Sequence, residues 1–403
     1  MLALRTVVRD YAWGRRDGMA AHVGSAPTGR PEAELWVGTH PAAPSVVEGD
    51  GRTLAEVVAS DPRRHLGPDL AAAGHTALPF LLKVLAIGRP LSLQAHPSAG
   101  QAAAGFAREE AAGVPPDAPE RTYRDANPKP EALVALTETW ALCGFRPPAE
   151  AVALVEALGV GALAPLAARL AGPDGLRAAL GWVLRLGGAE RAALLDALAA
   201  AVPPAPDAPL EPAEPAGPAN ARAWIARIQD AFPGDAAALA PLFVAVTRLL
   251  PGEAVHLPAG NLHAYLDGAG VEIMAASDNV LRGGLTPKHI DVDELLAVLR
   301  FAPGLPPAPR RVPVAGGTAY DCGEDAFLLT ALDADRHPKL HPDGPSLLLA
   351  TGGEVVLDQG GDQDGERLVL DGGRAAFVAP GEAPIAASGP GRLWWATVGG
   401  HGR

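Results

Sequence analysis

The chain has 403 residues, 48% hydrophobic and 20% charged, the balance of an ordinary globular protein long enough for two or three domains. Its formal charge of −13 speaks against a nucleic-acid or anionic-membrane surface, and an anionic substrate needs local cations that override the global field. Cys143 and Cys322 make no disulfide framework, and Arg5 and Arg9 interrupt the N-terminal "MLALRTVVRDYAWG" before any signal-like apolar run, so a cytoplasmic protein is expected.

Residues 1–146 read as short strands and turns with one helical interruption. Gly and Pro punctuate apolar segments such as "AELWVGTHPAAPSVV" and "EALVALTETWALCGF". The octet "LSLQAHPS", Leu91 to Ser98, alternates polar and apolar residues. An extended chain there aims Ser92, Gln94 and His96 to one side, and Pro97 ends it. A helical piece and a Pro-rich loop fill the stretch between His96 and Asn127. From about Pro147 the sequence turns Ala/Leu-rich with apolar spacing near 3.6, which predicts helices. Residues 203–218, "PPAPDAPLEPAEPAGP", read as a solvated linker, and helices are expected to resume through "NARAWIARIQDAFPGDAAALAPLFVAVTRLL". Strand character returns at Gly252 and, apart from a short helix near Val292–Phe301, runs to the end like an antiparallel barrel. The expected architecture is mainly β with an α insertion. A β domain formed by residues 1–146 plus 250–308 is interrupted by a helical domain, 147–249, and followed by a second β-barrel, 309–403.

Three segments hold the unusual polar groups. The first is the octet carrying Ser92, Gln94 and His96. In the second, "NPKPEALVAL" from Asn127 to Leu136, an extended chain puts Lys129 and Glu131 on one face. The third, "GEAVHLPAGNLHAYLDGAGVEIMAASDNVLRGGLTPKHIDVDEL", turns at "PAG" and then aims His263 and Tyr265 together. Two imidazoles, a carboxylate and a carboxamide suit a divalent metal, zinc most naturally, and a barrel mouth lets Gln94, His96, Glu131 and His263 converge. With Glu131 as the charged donor, the site keeps a net positive charge and remains a Lewis acid. Singly, each signal is ordinary, because a strand histidine is more often hydrogen-bonded structure than a ligand. Other histidine pairs exist, and His337 with His341 in "RHPKLHPDG" reads as a surface loop. Of the 33 basic residues only 4 are lysines, Lys83, Lys129, Lys288 and Lys339, which suggests positions where a compact, titratable ammonium is required.

Taken together, the segments resemble type I phosphomannose isomerases. The matching pieces, in family order, are "YAWG" (11–14), "AELWVGTHPAAPS" (33–45), "LPFLLKVLAIGRPLSLQAHP" (78–97), "NPKPE" (127–131) and "PAGNLHAYLDG…EIMAASDNVLRGGLTPKHIDV" (258–292). The resemblance implies a cupin-type jelly-roll catalytic domain with one zinc held by Gln94, His96, Glu131 and His263, and a second jelly-roll-like domain after the helical insertion. It implies that Arg282 in "SDNVLR" is the catalytic arginine. Trp13, Lys83, Ser92, Lys129, Tyr265, Glu272, Asp278 and Lys288 fall at positions that line the family's pocket. The implied reaction interconverts mannose 6-phosphate and fructose 6-phosphate through a cis-enediol, feeding mannose and GDP-mannose metabolism. It needs a base near C1 and C2. Lys129 and Glu272 are both candidates, with the rarity of lysine favouring Lys129. Ser92, Lys83, Arg282 and Lys288 are the expected phosphate contacts. The expected partner is a small sugar phosphate, with no nucleic acid and no membrane, and the expected state is a monomer.

Two rival readings share the barrel. An Fe(II)-dependent cupin oxygenase uses most of the same ligands but leaves the lysines and "SDNVLRGGLTPKH" without a role. A non-catalytic sugar-binding cupin is a reading that no fold excludes, although an intact Arg282, Lys129 and donor set argue against it.

Overall fold

The structure is a computed structural model that describes residues 1–360 and 365–400. A ten-stranded sheet forms the first β domain, with a central order of Val244–Leu249, Thr139–Phe145, His263–Ala275, Phe80–Ile87, Glu34–Val37 and Val7–Arg9. Glu131–Ala135, Ala254–Leu257, Gln94–Ala95 and Leu281–Arg282 pair off this path and curl the sheet toward closure. The C-terminal β domain contributes a four-stranded antiparallel sheet and six strands of an eight-stranded one, which Leu2–Arg5 and Val46–Val47 complete. The architecture is a cupin-type jelly roll with a helical insertion and a second β domain. Among the described residues no helix is long and apolar enough to cross a membrane.

Strand Phe80–Ile87, "FLLKVLAI", is buried at every position, which explains why it reads as an apolar run interrupted only by Lys83. Leu82, Val84 and Ala86 pack against Leu329, Leu347, Leu349, Phe377 and Trp394 of the C-terminal domain. Leu85 and Ile87 turn the other way, toward Leu133, Cys143 and Tyr265 inside the barrel. Lys83 shares that inner face by the two-residue period of a strand. A lone lysine in such a run is therefore directed into the barrel.

Strand His263–Ala275 carries an irregularity with consequences for the site. Trp140 pairs with Asp267 and Ala141 with Tyr265, leaving Leu266 as an extra residue. The bulge flips the strand's parity. Tyr265 faces inward before it, whereas after it Val271 and Ile273 pack outward and Glu272 and Met274 turn inward. Strict alternation would have put Tyr265 and Glu272 on opposite faces.

The helical insertion consists of Pro148–Ala157, Ala164–Leu170, Gly175–Arg185, Gly188–Ala201 and Pro218–Ala231, with 3₁₀ turns at Gly161–Leu163 and Ala236–Leu242. Its apolar faces bury Trp140, Leu142, Phe145, Leu262, Ala264 and Leu266 of the β domain. Three local expectations differ from the structure. Val244–Leu249 was expected to be helical but is a strand paired with Thr139–Phe145, because Val244, Val246 and Thr247 are β-branched and complete the sheet edge. The N-terminal strand Leu2–Arg5 pairs with Ala375–Val378, so the chain begins in the C-terminal domain's sheet. Four short helices, Gly18–Val23, Leu54–Ser60, Pro62–Leu66 and Pro68–Ala72, lie where only strands and turns were read before His96. Thr53 and Glu56 make a capping box for one of them, and Asp61 with Pro62 starts the next, both legible start signals. The helix expected after His96 is present as Ala99–Ala111, capped by Ser98 directly after Pro97.

Candidate active site

The strand Gln94–Ala95 is only two residues long, yet it organises the site. Gln94 lies opposite His263 on one side and Arg282 on the other. Directly opposed residues point to the same face of a sheet, so His263, Gln94 and Arg282 form one cross-strand row. Glu131 opens the strand Glu131–Ala135, whose inner residues continue toward Leu133. His96, Glu131 and His263 are each at most 2% exposed.

The donor atoms of these three residues all lie within 4.8 Å of one another. His96 Nε2 is 3.4 Å from Glu131 Oε1, and His263 Nε2 is 3.7 Å from Glu131 Oε2. His96 Nδ1 is 2.8 Å from the carbonyl of Asn279, and His263 Nδ1 is 3.1 Å from that of Asn261. A carbonyl only accepts, so both Nδ1 atoms carry the hydrogen and both Nε2 lone pairs face the carboxylate. His96 Nε2 and Glu131 Oε2 are buried without a hydrogen-bond partner. Two acceptors facing each other across a buried gap are costly unless a cation lies between them, so the donor set fits a divalent metal. Burial pushes the His96 imidazole down to about 4, which keeps it neutral as a ligand must be. Burial alone would raise the Glu131 carboxyl, but Lys129 and the two imidazoles hold it well below its usual range. Gln94 Nε2 lies 3.4 Å from His263 Nε2, and the isosteric flip of the same amide presents its oxygen instead.

A cleft of about 570 Å³ opens over this cluster. It reaches every remaining residue singled out from the sequence. Trp13, Lys83 and Ser92 line it from one part of the chain, and Tyr265, Glu272, Asp278, Arg282 and Lys288 from another. Lys129 joins them, its Nζ 2.9 Å from Glu131 Oε1. Lys83 Nζ is 3.6 Å from Glu34 Oε2 and equally 3.6 Å from Glu272 Oε2. One ammonium can neutralise only one of two carboxylates. Burial disfavours the Lys83 charge, but those carboxylates outweigh it and keep the ammonium protonated. Glu272 is left as the surplus anion, and burial followed by the charge of Glu131 raises it to about 7.

Arg282 and Lys288 are different. No side-chain hydrogen bond or ion pair engages Arg282 or the Lys288 ammonium among the described residues; Arg282 is half-buried in the cleft and Lys288 is exposed at its edge. Burial and Arg124 lower Arg282, while burial, Arg282 and Arg124 lower Lys288. Uncompensated cations that repel one another make a ready anion site. The loop between them is held from the helical insertion. Asp235 Oδ2 accepts from Leu285 N at 2.6 Å and its Oδ1 from Ala237 N at 2.8 Å. Gly284, at φ +117, has no room for a side chain, since a Cβ would meet that of Ala237 at 2.3 Å. Ala231 and Phe232 of the insertion line the cleft, so the insertion forms part of its wall.

Sequence reasoning passed over Glu34, Trp36 and His40, although all three lie in "AELWVGTH". Trp36 donates its indole N–H to Glu34 and carries Lys83 Nζ 4.6 Å from its ring centroid. His40 Nδ1 accepts from Ala42 N, so its Nε2–H donates to Asp278 Oδ1 at 3.1 Å. The Glu-x-Trp alternation was the available signal, since it puts a carboxylate and an indole on one face of a buried strand. His337 and His341 are exposed, as expected for a surface loop.

Residues 1–148 match the family model for the catalytic domain of type I phosphomannose isomerase. The chain is 37% identical to mannose-6-phosphate isomerase of Escherichia coli over 407 aligned residues, covering 98% of each. It is 36% identical to the Salmonella typhimurium mannose-6-phosphate isomerase, again with 98% of each covered. A crystal structure of zinc-bound mannose 6-phosphate isomerase superposes with a TM-score of 0.87 at 35% identity, over 98% of this chain and 99% of that one.

Proposed function

The chain belongs to the type I phosphomannose isomerase family, and we infer on that premise that it interconverts mannose 6-phosphate and fructose 6-phosphate with zinc as its cofactor. The observation that carries this reading is one cleft in which buried, unpartnered metal donors lie beside unpaired cations. An oxygenase would need the donors but not the cations.

Isomerisation opens the sugar ring, removes the proton at C2 and returns it at C1 through a cis-enediol. Bound zinc supplies a Lewis acid that stabilises negative charge on the sugar oxygens. Gln94, His96, Glu131 and His263 would hold it. Arg282, next to Gln94 in the cross-strand row, places a permanent positive fork beside the same oxygens. Lys288 and Ser92, both lining the cleft, take the phosphate, whose two negative charges offset the mutual repulsion of the nearby cations.

We assign proton transfer to Glu272. A base works best when its pKa lies near the working pH, and burial has brought this carboxyl to about 7. Lys129, favoured on rarity alone, has its ammonium engaged with Glu131 at 2.9 Å and is better suited to hold that carboxylate in place. Lys83 orients Glu272 from behind while Glu34 shares its charge. A single chain carries the whole constellation, so a monomer suffices. Two free thiols, Cys143 and Cys322, suit a reducing cytoplasm.

Two measurements test these readings. Purified protein should contain zinc by elemental analysis and convert mannose 6-phosphate to fructose 6-phosphate. Chelation should abolish turnover and added zinc should restore it. Full activity in metal-free protein would sink the metal reading. The second concerns pH. Glu272 must be ionised to accept a proton, and its raised pKa keeps it protonated in acid, so kcat/KM should rise as pH increases through about 7. Glu272→Gln should lower kcat by about 10²–10⁴-fold and remove that limb from the residual activity. A limb that survives in the variant assigns the base to another group.

A further inference from the structure

The candidate metal donors come from segments far apart in the chain, and one buried residue ties two of these segments together. We propose that Asn279 is a positioning residue that locks the Lys129–Glu131 segment to the imidazole of His96. The proposal rests on the reading of His96 and Glu131 as zinc ligands.

Asn279 is fully buried. Its carbonyl accepts from His96 Nδ1–H at 2.8 Å, which fixes the tautomer that turns the Nε2 lone pair toward Glu131. Its side-chain amide reaches across to the loop that precedes Lys129. Nδ2 donates to the carbonyls of Asp125 at 2.8 Å and Asn127 at 2.9 Å, and Oδ1 accepts from Arg124 N at 2.8 Å and Asp125 N at 3.3 Å. Ser277 reinforces the clamp, because its single O–H lies between Asp125 Oδ2 at 3.1 Å and the Asn127 carbonyl at 3.2 Å, and its Oγ accepts from Asn279 N.

The chain beyond the clamp is stiff. Asn127 is followed by Pro128, Lys129, Pro130 and Glu131, and the two prolines fix φ at alternate positions. The Pro130 carbonyl is then pinned by Ala275 N at 3.0 Å. Wherever Asn279 holds Asn127, the ammonium of Lys129 and the carboxylate of Glu131 follow. Because the same residue's carbonyl orients His96, one peptide unit and its side chain set the distance between two donors.

The chemistry demands an amide. It presents a donor pair to two carbonyls and an acceptor to two N–H groups. An aspartate would aim an oxygen at the carbonyls of Asp125 and Asn127, and an alanine would take away the side-chain partner of the Arg124 and Asp125 N–H groups and of the Asp125 carbonyl.

Asn220 provides a matched control. It is also 0% exposed, and its amide bonds Glu211 N, Glu211 O and Glu214 O within the helical insertion, away from the cleft. The test follows zinc release from holoenzyme into excess chelator, together with the visible absorption of the Co²⁺-substituted protein, whose bands report donor geometry. Asn279→Asp should release zinc about 10–100-fold faster than the parent protein and shift the Co²⁺ bands. Asn220→Ala should melt at a lower temperature with release and bands unchanged. If Asn279→Asp does not accumulate as folded protein, Asn279→Ser, which keeps an acceptor, is read by the same criteria. Parental zinc release and bands in the Asn279 variant would overturn the proposal, as would equal acceleration in Asn220→Ala. His96→Ala separates the two levels. If it holds zinc as firmly as the parent, the ligand reading itself fails; if it loses zinc while the Asn279 variant does not, only the clamp fails.

Discussion

Replacing Arg282 with alanine should lower kcat by about 10³-fold while the zinc content of the purified protein stays unchanged. The expectation rests on the company this guanidinium keeps. Lys83 and Lys129 are each engaged with buried carboxylates, whereas Arg282 has no such partner among the described residues and faces the cleft beside Gln94. A cation that is partly desolvated and unpaired does nothing for the resting protein, so its removal costs little stability and most of its effect falls on the transition state. Arg282→Lys should recover only part of the rate, since a single ammonium cannot reproduce the planar fork. Elemental analysis beside a coupled isomerase assay checks both parts. Loss of zinc from Arg282→Ala would make the arginine a support for the metal ligands instead.

Replacing Glu131 with alanine should yield protein without stoichiometric zinc and with turnover at background. Glu131 is the one charged member of the donor set, and both imidazole lone pairs face it. Removing it takes away the anion that compensates the metal and also strands the buried ammonium of Lys129, 2.9 Å away. Glu131→Gln separates these effects. It keeps the shape, restores an acceptor for Lys129 and still lacks the charge, so zinc affinity should remain more than about 100-fold below that of the parent protein. Stoichiometric zinc in Glu131→Ala, measured by elemental analysis after dialysis, would remove this residue from the ligand set.

Much of the site was legible before folding because it is written in short local patterns. The alternation in "LSLQAHPS" put Gln94 on the cleft side, and the structure aligns it with His263 and Arg282. The scarcity of lysine marked four positions, of which Lys83, Lys129 and Lys288 line the cleft, whereas Lys339 is exposed on a strand of the C-terminal β domain. Composition shifts marked the helical insertion, but its end was misread because "FVAVTRLL" is apolar enough for either structure. Pairing with Thr139–Phe145 settles it as a strand. Glu34 was overlooked for a related reason. A carboxylate in a buried strand means little until the ammonium of Lys83 and the indole of Trp36 are seen around it.

By itself the sequence determined the donor types, the cations, the strand alternation and the family, because residue chemistry and two-residue periodicity are local properties. Tertiary structure alone decided which charges are spent and which are free, since pairing depends on which strands become neighbours. It also decided that Glu272 faces the cleft at all. One extra residue at Leu266 reverses the strand's parity, and a bulge of that kind arises from the pairing with Trp140 and Ala141 rather than from any pattern within the strand.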